Sequence, residues 1–191
     1  MTSNQRLLKT EFPDIEWSFD LPLASLSYFK LGGPAEIFYK VNDTELLAIL
    51  DQLRSHPNEG AVVEFKSNLN EPKSIGEYIS ALANSAALAG HSRAWVVWGV
   101  EDVTHKVIGT LFDPFKAKGE GSQALIMWLQ QLTSPRADFE FHAVAHPNGR
   151  VVMMEIHPAR SAPIAFQGVR YIRVDSHKVK LSDHLDKEAR L

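Results

Sequence analysis

The chain of 191 residues contains no cysteine. Without a thiol it can form no disulfide, no thiolate zinc site and no cysteine nucleophile. It also has no run of 18 apolar residues that would predict a membrane helix, and its first residues lack the apolar segment of a secretory signal peptide. We therefore expect a cytoplasmic protein without a membrane partner.

The sequence also lacks a strong excess of one charge, since its net charge is −3. The charge is nevertheless uneven: residues 1–157 carry 13 basic and 19 acidic side chains, whereas residues 158–191 carry seven and four. A local basic stripe can hold a phosphate backbone, and a tyrosine within it can stack on a base. The candidate nucleic-acid-binding residues are Arg170, Tyr171, Arg173, Lys178 and Lys180. A solvated surface explains the same charges equally well.

Turn signals and periodicity divide the chain near residue 42. Residues 1–42 are punctuated by Pro and Gly turns, and we interpret them as an N-terminal appendage of uncertain origin. Residues 43–191 form one domain with helices predicted from 43, over 72–88 and 121–132, and from 182, and with strands over 61–66, 94–100, 106–111, 138–145, 150–157, 164–166 and 171–174. Tight turns join most neighbouring strands and predict two hairpins, 94–100 with 106–111 and 138–145 with 150–157. This pattern predicts an α+β fold: a mixed, mostly antiparallel sheet with helices packed on it.

The most informative residues are acids near the ends of two apolar strands. Glu59 and Glu64 lie five residues apart around the start of one strand, and Asp102 follows another. If the two strands lie side by side, these three carboxylates and Lys66 converge on one edge of the sheet. Carboxylate oxygens are the ligands that Mg²⁺ and Mn²⁺ prefer, so the pattern suits a divalent metal and a phosphodiester.

Each of these side chains also has an ordinary structural explanation. The two glutamates can be surface acids, and Asp102 can cap a turn, because Asp side chains bond nearby backbone N–H groups. Lys66 lies on the same strand face as Glu64, where it can stabilise a charged phosphorane. For Lys66 we favour a simple ion pair with Glu64 or Asp102. For Asn84 we favour hydrogen bonds to backbone groups over substrate contact.

Five short motifs occur in order along the chain. They are Glu64-Phe65-Lys66, Ile79-Ser80-Ala81-Leu82-Ala83-Asn84, Val97-Trp98-Gly99-Val100-Glu101-Asp102, Val107-Ile108-Gly109 and Tyr171-Ile172-Arg173-Val174. Together they resemble the Schlafen AlbA-like (divergent AlbA) domain of bacterial proteins over about residues 45–181. The resemblance implies the α+β fold of that family and a nucleic-acid-binding module.

The same resemblance implies a particular site. In the endoribonuclease members of the wider Schlafen family, two glutamates and one aspartate form a metal-dependent site that cleaves transfer and ribosomal RNA. The corresponding positions here are Glu59, Glu64 and Asp102. The resemblance therefore implies that these three side chains are catalytic ligands of Mg²⁺ or Mn²⁺, and Lys66 is the fourth candidate catalytic residue.

A second, shorter resemblance covers residues 21–48. The segment Leu21–Ala35 resembles the opening of UDP-N-acetylenolpyruvoylglucosamine reductase, a flavoenzyme. The Gly-rich flavin-binding loop that should follow the first helix is absent, so we expect no FAD. The segment Lys118–Ser122 lacks the Gly-x-x-x-x-Gly-Lys-Ser/Thr order of a P-loop, so we expect no ATP.

Three functional hypotheses follow. The first is a nucleic-acid-processing domain, namely a metal-dependent endoribonuclease that acts on structured RNA such as tRNA. The second is a non-catalytic DNA- or RNA-binding module of a regulatory or defence protein. The third is an interaction domain that forms a homodimer through its sheet.

Overall fold

A computed structural model describes residues 5, 10, 17–22, 34–39, 43–55, 60–68 and 70–191. The chain forms two units, residues 1–46 and residues 47–191. In the first unit, strands β1 (Trp17–Pro22) and β2 (Pro34–Tyr39) pair antiparallel. The predicted domain boundary at residue 42 and the resemblance to the reductase stay predictions.

Most of the described elements belong to the second unit. Helix α1 (Asp43–Ser55) ends there. The elements that follow are β3 (Val63–Lys66), α2 (Pro72–Ala89), β4 (Ala94–Trp98), α3 (Leu125–Leu132), β5 (Thr133–Ser134), β6 (Phe139–His146), β7 (Gly149–Ile156), β8 (Ala165–Phe166), β9 (Val169–Val174), β10 (His177–Lys180), a short 3-10 helix (Leu181–Asp183) and α4 (Leu185–Glu188).

Two four-stranded sheets organise this unit. The first has the order β3-β4-β7-β6, with β3 and β4 parallel and the other pairs antiparallel. The second has the order β10-β9-β8-β5 and is antiparallel throughout. The predicted α+β class with a mixed, mostly antiparallel sheet is therefore confirmed.

Helix α2 lies at the centre of the apolar core. It connects the parallel strands β3 and β4, a pairing that needs a crossover segment. Its buried face includes Ile75, Ile79 and Leu82, which belong to the same cluster as Trp98 of β4. Such burial contributes roughly 1.5–3 kcal/mol for each large apolar side chain.

A glycine sets how closely α2 approaches the second sheet. A Cβ atom at Gly76 would lie 2.2 Å from the ring of Phe166 on β8. The absence of a side chain at Gly76 therefore lets the aromatic ring pack directly on the helix backbone. Any larger residue would push β8 away from the core.

Buried polar side chains of α2 bind the backbone of β9. The Ser80 and Ser85 hydroxyls accept hydrogen bonds from the backbone N–H groups of Tyr171 (3.0 Å) and Arg173 (2.8 Å). The Asn84 side-chain amide donates to the Tyr171 carbonyl at 2.8 Å, which confirms backbone bonding for this asparagine. These bonds satisfy polar groups that would otherwise be costly to bury, and they fix β9 along the helix.

One predicted hairpin is wrong. Residues 94–100 and 106–111 do not form a pair of strands, because β4 ends at Trp98 and the later segment contributes one bridge, Val100 with Val107. The physical reason is that both edges of β4 are already occupied, by β3 on one side and β7 on the other. The second segment therefore crosses the end of the sheet as a loop.

Other predicted helices and strands are confirmed, with ends that differ by a few residues from those predicted. The predicted hairpin 138–157 is confirmed as β6 and β7. Helix α3 begins at Leu125, four residues after its predicted start, because the Leu125 N–H donates to the carbonyl of Ala117 instead of starting a longer helix. Trp95 and Trp98 are both buried. In the part of the chain described here, no helix is long and apolar enough to span a bilayer.

Candidate functional site

The parallel strands β3 and β4 bring the predicted site residues to one end of the sheet. Lys66 lies opposite Trp98 in the register, so both strands end at the same edge. Gly99 then turns the chain with φ +92°, a conformation that disfavours side chains, and its N–H donates to the carbonyl of Lys66 at 2.8 Å. The loop that follows carries Asp102.

Lys66 joins two of the predicted carboxylates. Its Nζ lies 2.6 Å from Oε1 of Glu64 and 3.5 Å from Oδ2 of Asp102. Glu64 is nearly buried, whereas the Asp102 side chain is 51% exposed. The ion pair that we favoured for Lys66 is confirmed, and both acids lie within reach of a single cation.

Arg173 is the second cation on Glu64. Its guanidinium contacts Oε2 of the same carboxylate, and its side chain has no exposed surface. The hydrogen bond from its N–H to Ser85 holds this part of β9 in place. We call Glu64, Lys66, Asp102 and Arg173 the Glu64 cluster. Within it, two fixed positive charges balance two negative charges.

The Glu64 cluster has the oxygen ligands that suit a hard divalent ion. Among the described residues, however, no three His, Asp or Glu side chains are grouped so that they could hold a metal ion. Glu59, the third predicted ligand, lies outside the described residues. A divalent ion at these two carboxylates would have to compete with the ammonium of Lys66 and the guanidinium of Arg173.

A second surface extends from Lys66 across helix α2. The ring centre of Tyr78 lies 5.8 Å from Nζ of Lys66 and 4.4 Å from Nζ of Lys178 on β10. Lys178 is held by an ion pair of 2.5 Å with Glu77. We call Lys66, Tyr78 and Lys178 the tyrosine–lysine surface. It combines a partly buried aromatic ring with two cations beside the Glu64 cluster, and 15% and 19% of the side-chain surfaces of Lys66 and Lys178 are exposed.

Tyr171 reaches the same acid from β9. Its hydroxyl donates a hydrogen bond to Oε1 of Glu77 at 3.3 Å. Burial and the negative charge of Glu77 raise the pKa of the Tyr171 hydroxyl. Tyr171 and Lys178, both predicted to bind nucleic acid, therefore share one carboxylate at the rim of the tyrosine–lysine surface.

The other two predicted nucleic-acid-binding residues lie in a separate groove. Arg170 and Lys180 line an open groove of about 580 Å³, together with Ser182 and Glu188. Arg170 pairs with Glu188 at 3.0 Å, and half of its side-chain surface is exposed. The basic stripe thus divides into three environments: the tyrosine–lysine surface and its rim, this groove, and the interior position of Arg173.

Sequence reasoning missed Glu77 and Tyr78. Their positions on α2 lie between the apolar residues Ile75 and Ile79, which indicates the flank of the helix and not its buried face. An aromatic side chain at such a flanking position was the available signal. Its two lysine neighbours come from β3 and β10, and only the packing of both strands against α2 brings them to the ring.

The family assignment agrees with this architecture. Residues 59–182 match the family model described as Schlafen, AlbA_2. The match covers more than half of the chain, so the chain belongs to the Schlafen AlbA_2 family. This assignment is consistent with a nucleic-acid-binding module. No curated protein matches the chain.

Two solved structures are similar to this chain. The N-terminal domain of a RecG-related protein from Nitrosomonas europaea is 20% identical, with a TM-score of 0.46, and the match covers 72% of this chain and 92% of that domain. The DIP2311 protein from Corynebacterium diphtheriae is 17% identical, with a TM-score of 0.46 and 72% of this chain covered. The chain spans about a quarter of the length of the DIP2311 protein, since 26% of it is covered.

Proposed function

We propose that this protein is a nucleic-acid-binding module that contacts its ligand through the tyrosine–lysine surface. The observation that carries the proposal is the Tyr78 ring with Lys178 at 4.4 Å and Lys66 at 5.8 Å. An aromatic ring offers a stacking face to a base, and lysine ammoniums attract the phosphate backbone. Membership of the Schlafen AlbA_2 family supports the same function.

The ion pairs around this surface favour binding of extended backbone over a single phosphate. Lys66 and Lys178 already have carboxylate partners, so one phosphate must compete with Glu64 or Glu77 for either ammonium. A nucleic acid strand can add contacts with Arg170 and Lys180 in the groove near α4. Several weak contacts then sum to a salt-dependent affinity.

The binding experiment compares two lysines of equal charge. We expect Lys178→Ala to weaken binding of a fluorescein-labelled single-stranded RNA about fivefold and to reduce the slope of log affinity against log salt by roughly 0.7, as loss of one phosphate contact does. Tyr78→Ala should weaken the binding free energy by about 1–3 kcal/mol if a base stacks on the ring. Fluorescence anisotropy at several salt concentrations gives both quantities.

The matched control is Lys73→Ala. Lys73 is exposed on the same helix, α2, but it is not part of the tyrosine–lysine surface. Its removal changes the net charge equally and should leave the affinity within twofold. Equal losses for the two lysine variants would refute a localised surface and leave only a general charge effect.

A second candidate function is a metal-dependent endoribonuclease with Glu59, Glu64 and Asp102 as ligands and Lys66 beside them. The specific observation in its favour is that Glu64 and Asp102, from separate segments, share the Lys66 ammonium. A bound Mg²⁺ or Mn²⁺ would polarise the phosphate and activate the attacking oxygen. Lys66, once displaced from the carboxylates, would lie beside the phosphate and stabilise its negative charge.

Asp102 provides the clean test of this candidate. Because its side chain is half exposed, Asp102→Asn should leave the melting temperature unchanged while cleavage of tRNA in Mg²⁺ or Mn²⁺ falls at least 100-fold. Glu101→Gln, at the exposed neighbouring position, is the matched control and should cleave tRNA at the rate of the parent protein. Undiminished cleavage by the Asp102 variant, or binding without any cleavage by the parent, would exclude the nuclease and leave the binding module.

A further inference from the structure

Strand β6 is the outer strand of the first sheet. It pairs with β7 on one side, and in the part of the chain that the structure describes no strand pairs with its other side. Its eight residues make it longer than β3, the strand of four residues at the opposite edge. A long edge strand without a neighbour presents a row of backbone N–H and C=O groups that can pair with another chain.

The hairpin shows which residues of β6 direct their backbone groups outward. The His157 N–H donates to the carbonyl of Asp138 at 2.9 Å, so these two residues form a hydrogen-bonded pair that continues the register of β6 and β7. Hydrogen-bonded and non-hydrogen-bonded pairs alternate along an antiparallel ladder, so the even-numbered residues of β6 bond to β7. The odd-numbered residues face the free edge, and they are Phe139, Phe141, Ala143 and Ala145.

Strand β6 lacks the features that usually protect an edge strand. Its sequence contains no proline and no lysine, and all eight residues pair with β7 in consecutive register, so no bulge twists the edge away. Strand β10, at the edge of the second sheet, is four residues long and carries two lysines. Ala143 and Ala145 are exposed, and their small side chains let another backbone approach β6 closely.

We propose that two copies of this chain form a dimer by antiparallel pairing of β6 with β6, about a two-fold axis at Ala143. The first sheets of the two copies then become one continuous sheet. In this register Ala143 lies opposite the partner's Ala143, and Phe141 lies opposite the partner's Ala145. An interface of this kind is self-complementary, because each strand supplies the same outward N–H and C=O groups.

Polar side chains of β6 have the spacing that this register requires. Glu140 and His146 lie at equal distances on either side of Ala143, so the axis places each opposite the other in the partner strand. The Asn148 N–H donates to Nδ1 of His146 at 3.1 Å, which leaves the proton of the neutral ring on Nε2. Glu140 is exposed, and among the described residues none pairs with its carboxylate. Nε2–H can therefore donate to the partner's Glu140, once on each side of the axis.

Two alternative registers fit less well. An axis at His142 places two imidazoles against each other and sets Glu140 opposite Val144, which is a fully buried apolar side chain. An axis at Phe141 sets Glu140 opposite His142, whose Nε2 already contacts Glu155, and it shortens the ladder. The pair of Glu140 with His146 therefore favours the axis at Ala143.

Sedimentation equilibrium of the full chain tests the dimer. We expect Ala143→Pro to raise the dissociation constant of the dimer by roughly tenfold or more, because proline removes an N–H group from the free edge. The N–H of Ala143 faces away from β7, so the hairpin keeps its hydrogen bonds and the melting temperature should stay close to that of the parent protein.

A charge exchange tests the register without proline. Glu140→Lys should weaken the dimer about fivefold, because it removes the acceptor for the partner's His146 at both ends of the interface. Glu140→Lys combined with His146→Glu restores an opposite-charge pair and should restore the affinity of the parent protein. Glu120→Lys is the matched control, since Glu120 is exposed and lies outside β6, and it should dimerise like the parent.

Cysteine cross-linking locates the axis. The chain has no native cysteine, so Ala143→Cys introduces a single thiol. Opposite residues of a hydrogen-bonded pair have Cα atoms about 5.5 Å apart, within the range of a disulfide. We expect oxidation with copper–phenanthroline to link Ala143→Cys into dimers but not Ser92→Cys, an exposed position outside β6.

A chain that stays monomeric at every concentration would overturn the inference. A dimer that neither Ala143→Pro nor Glu140→Lys weakens would also overturn it, because another surface would then hold the two copies together. The proposed nucleic-acid binding is judged separately by anisotropy, since the tyrosine–lysine surface includes no residue of β6.

Discussion

Glu64 and Glu155 lie on the two strands that flank β4, opposite its neighbouring residues Val96 and Trp95, and both carboxylates are nearly buried. Together with Arg93, His142 and His157, Glu155 forms what we call the Glu155 cluster. Their partners differ. Glu64 is held by Lys66 and Arg173, whereas Glu155 is held by one arginine and two histidines. The comparison teaches that carboxylates of similar burial can be stabilised by partners of different chemistry, a lysine and an arginine in one case and two imidazoles with an arginine in the other.

The two arginines sharpen this contrast. The Arg173 side chain has no exposed surface, whereas that of Arg93 is 47% exposed. Removal of water raises both the cost of burying a charge and the penalty for leaving its partner alone. The Glu64 cluster should therefore dominate stability, and the Glu155 cluster should be easier to change without loss of the fold.

The largest expected effect comes from Arg173→Met. This change leaves Glu64 buried with Lys66 as its remaining cation, and we expect a loss of about 3–5 kcal/mol in the free energy of unfolding, measured with urea. Arg160→Met is the control, because Arg160 and Asp138 form an exposed pair at 3.7 Å, and it should cost less than about 1 kcal/mol. If both variants lost a similarly small free energy of unfolding, the buried ion pair would be no more important for stability than the exposed one.

Glu155→Gln should have an intermediate effect that depends on pH. The pKa of Glu155 lies below its ordinary value of 4.5 in the folded protein, chiefly because of the hydrogen bond with His142. The unfolded chain therefore takes up a proton first, so the ionised carboxylate stabilises the fold above pH 4.5 and loses this contribution as the pH falls through the folded value. We expect a difference of about 2 kcal/mol from the parent near neutral pH.

Urea unfolding of the parent and of Glu155→Gln between pH 3 and pH 7 measures this dependence. The difference between the two proteins should shrink steadily below pH 4.5. A difference that stays constant over the whole range would show that the charge of Glu155 has no part in its contribution to stability.

Lys66→Met should have the smallest of the three effects, and it tests the Glu64 cluster as a cation site. Removing the ammonium from between Glu64 and Asp102 eliminates an internal competitor, so Mn²⁺ should bind about tenfold more tightly, or about 1.4 kcal/mol. Isothermal titration calorimetry measures the affinity, and Lys178→Met is the matched control. Unchanged or weaker Mn²⁺ binding would contradict the proposed competition between Lys66 and Mn²⁺ for the two carboxylates.

Much of the fold was predictable because its signals are local. The hydrophobic period of α2 and the apolar runs of β3, β4, β6 and β7 are visible in short segments of sequence, and they gave the correct α+β class. The false strand at 106–111 is also apolar and short. Whether this segment could pair as a strand depended on whether β4 had a free edge, which is a property of the whole sheet.

The candidate site was predictable only in part. Glu64, Lys66 and Asp102 meet because parallel neighbours end at one edge, a rule that can be applied to two strands separated by one helix. The pair between Arg173 and Glu64 joins residues 109 positions apart. It requires β9 to lie along α2, and that arrangement depends on buried hydrogen bonds that Ser80 and Ser85 accept from the backbone of β9, which no periodicity reveals.

The contact of His142 with Glu155 could have been predicted from the strand register of the hairpin. The predicted hairpin places His142 opposite Met153, so Glu155 is a diagonal neighbour two residues further along β7. The cross-strand neighbour, which needs only the position of the turn, was the informative one.

By itself, the sequence determined most of the elements, the α+β class, the family motifs and the acids at the ends of the strands, because each of these is encoded within a few neighbouring residues. Only the tertiary structure decided the long-range ion pairs, such as that of Arg173 with Glu64. Those pairs join distant segments, and their strength depends on how far packing has removed water from them.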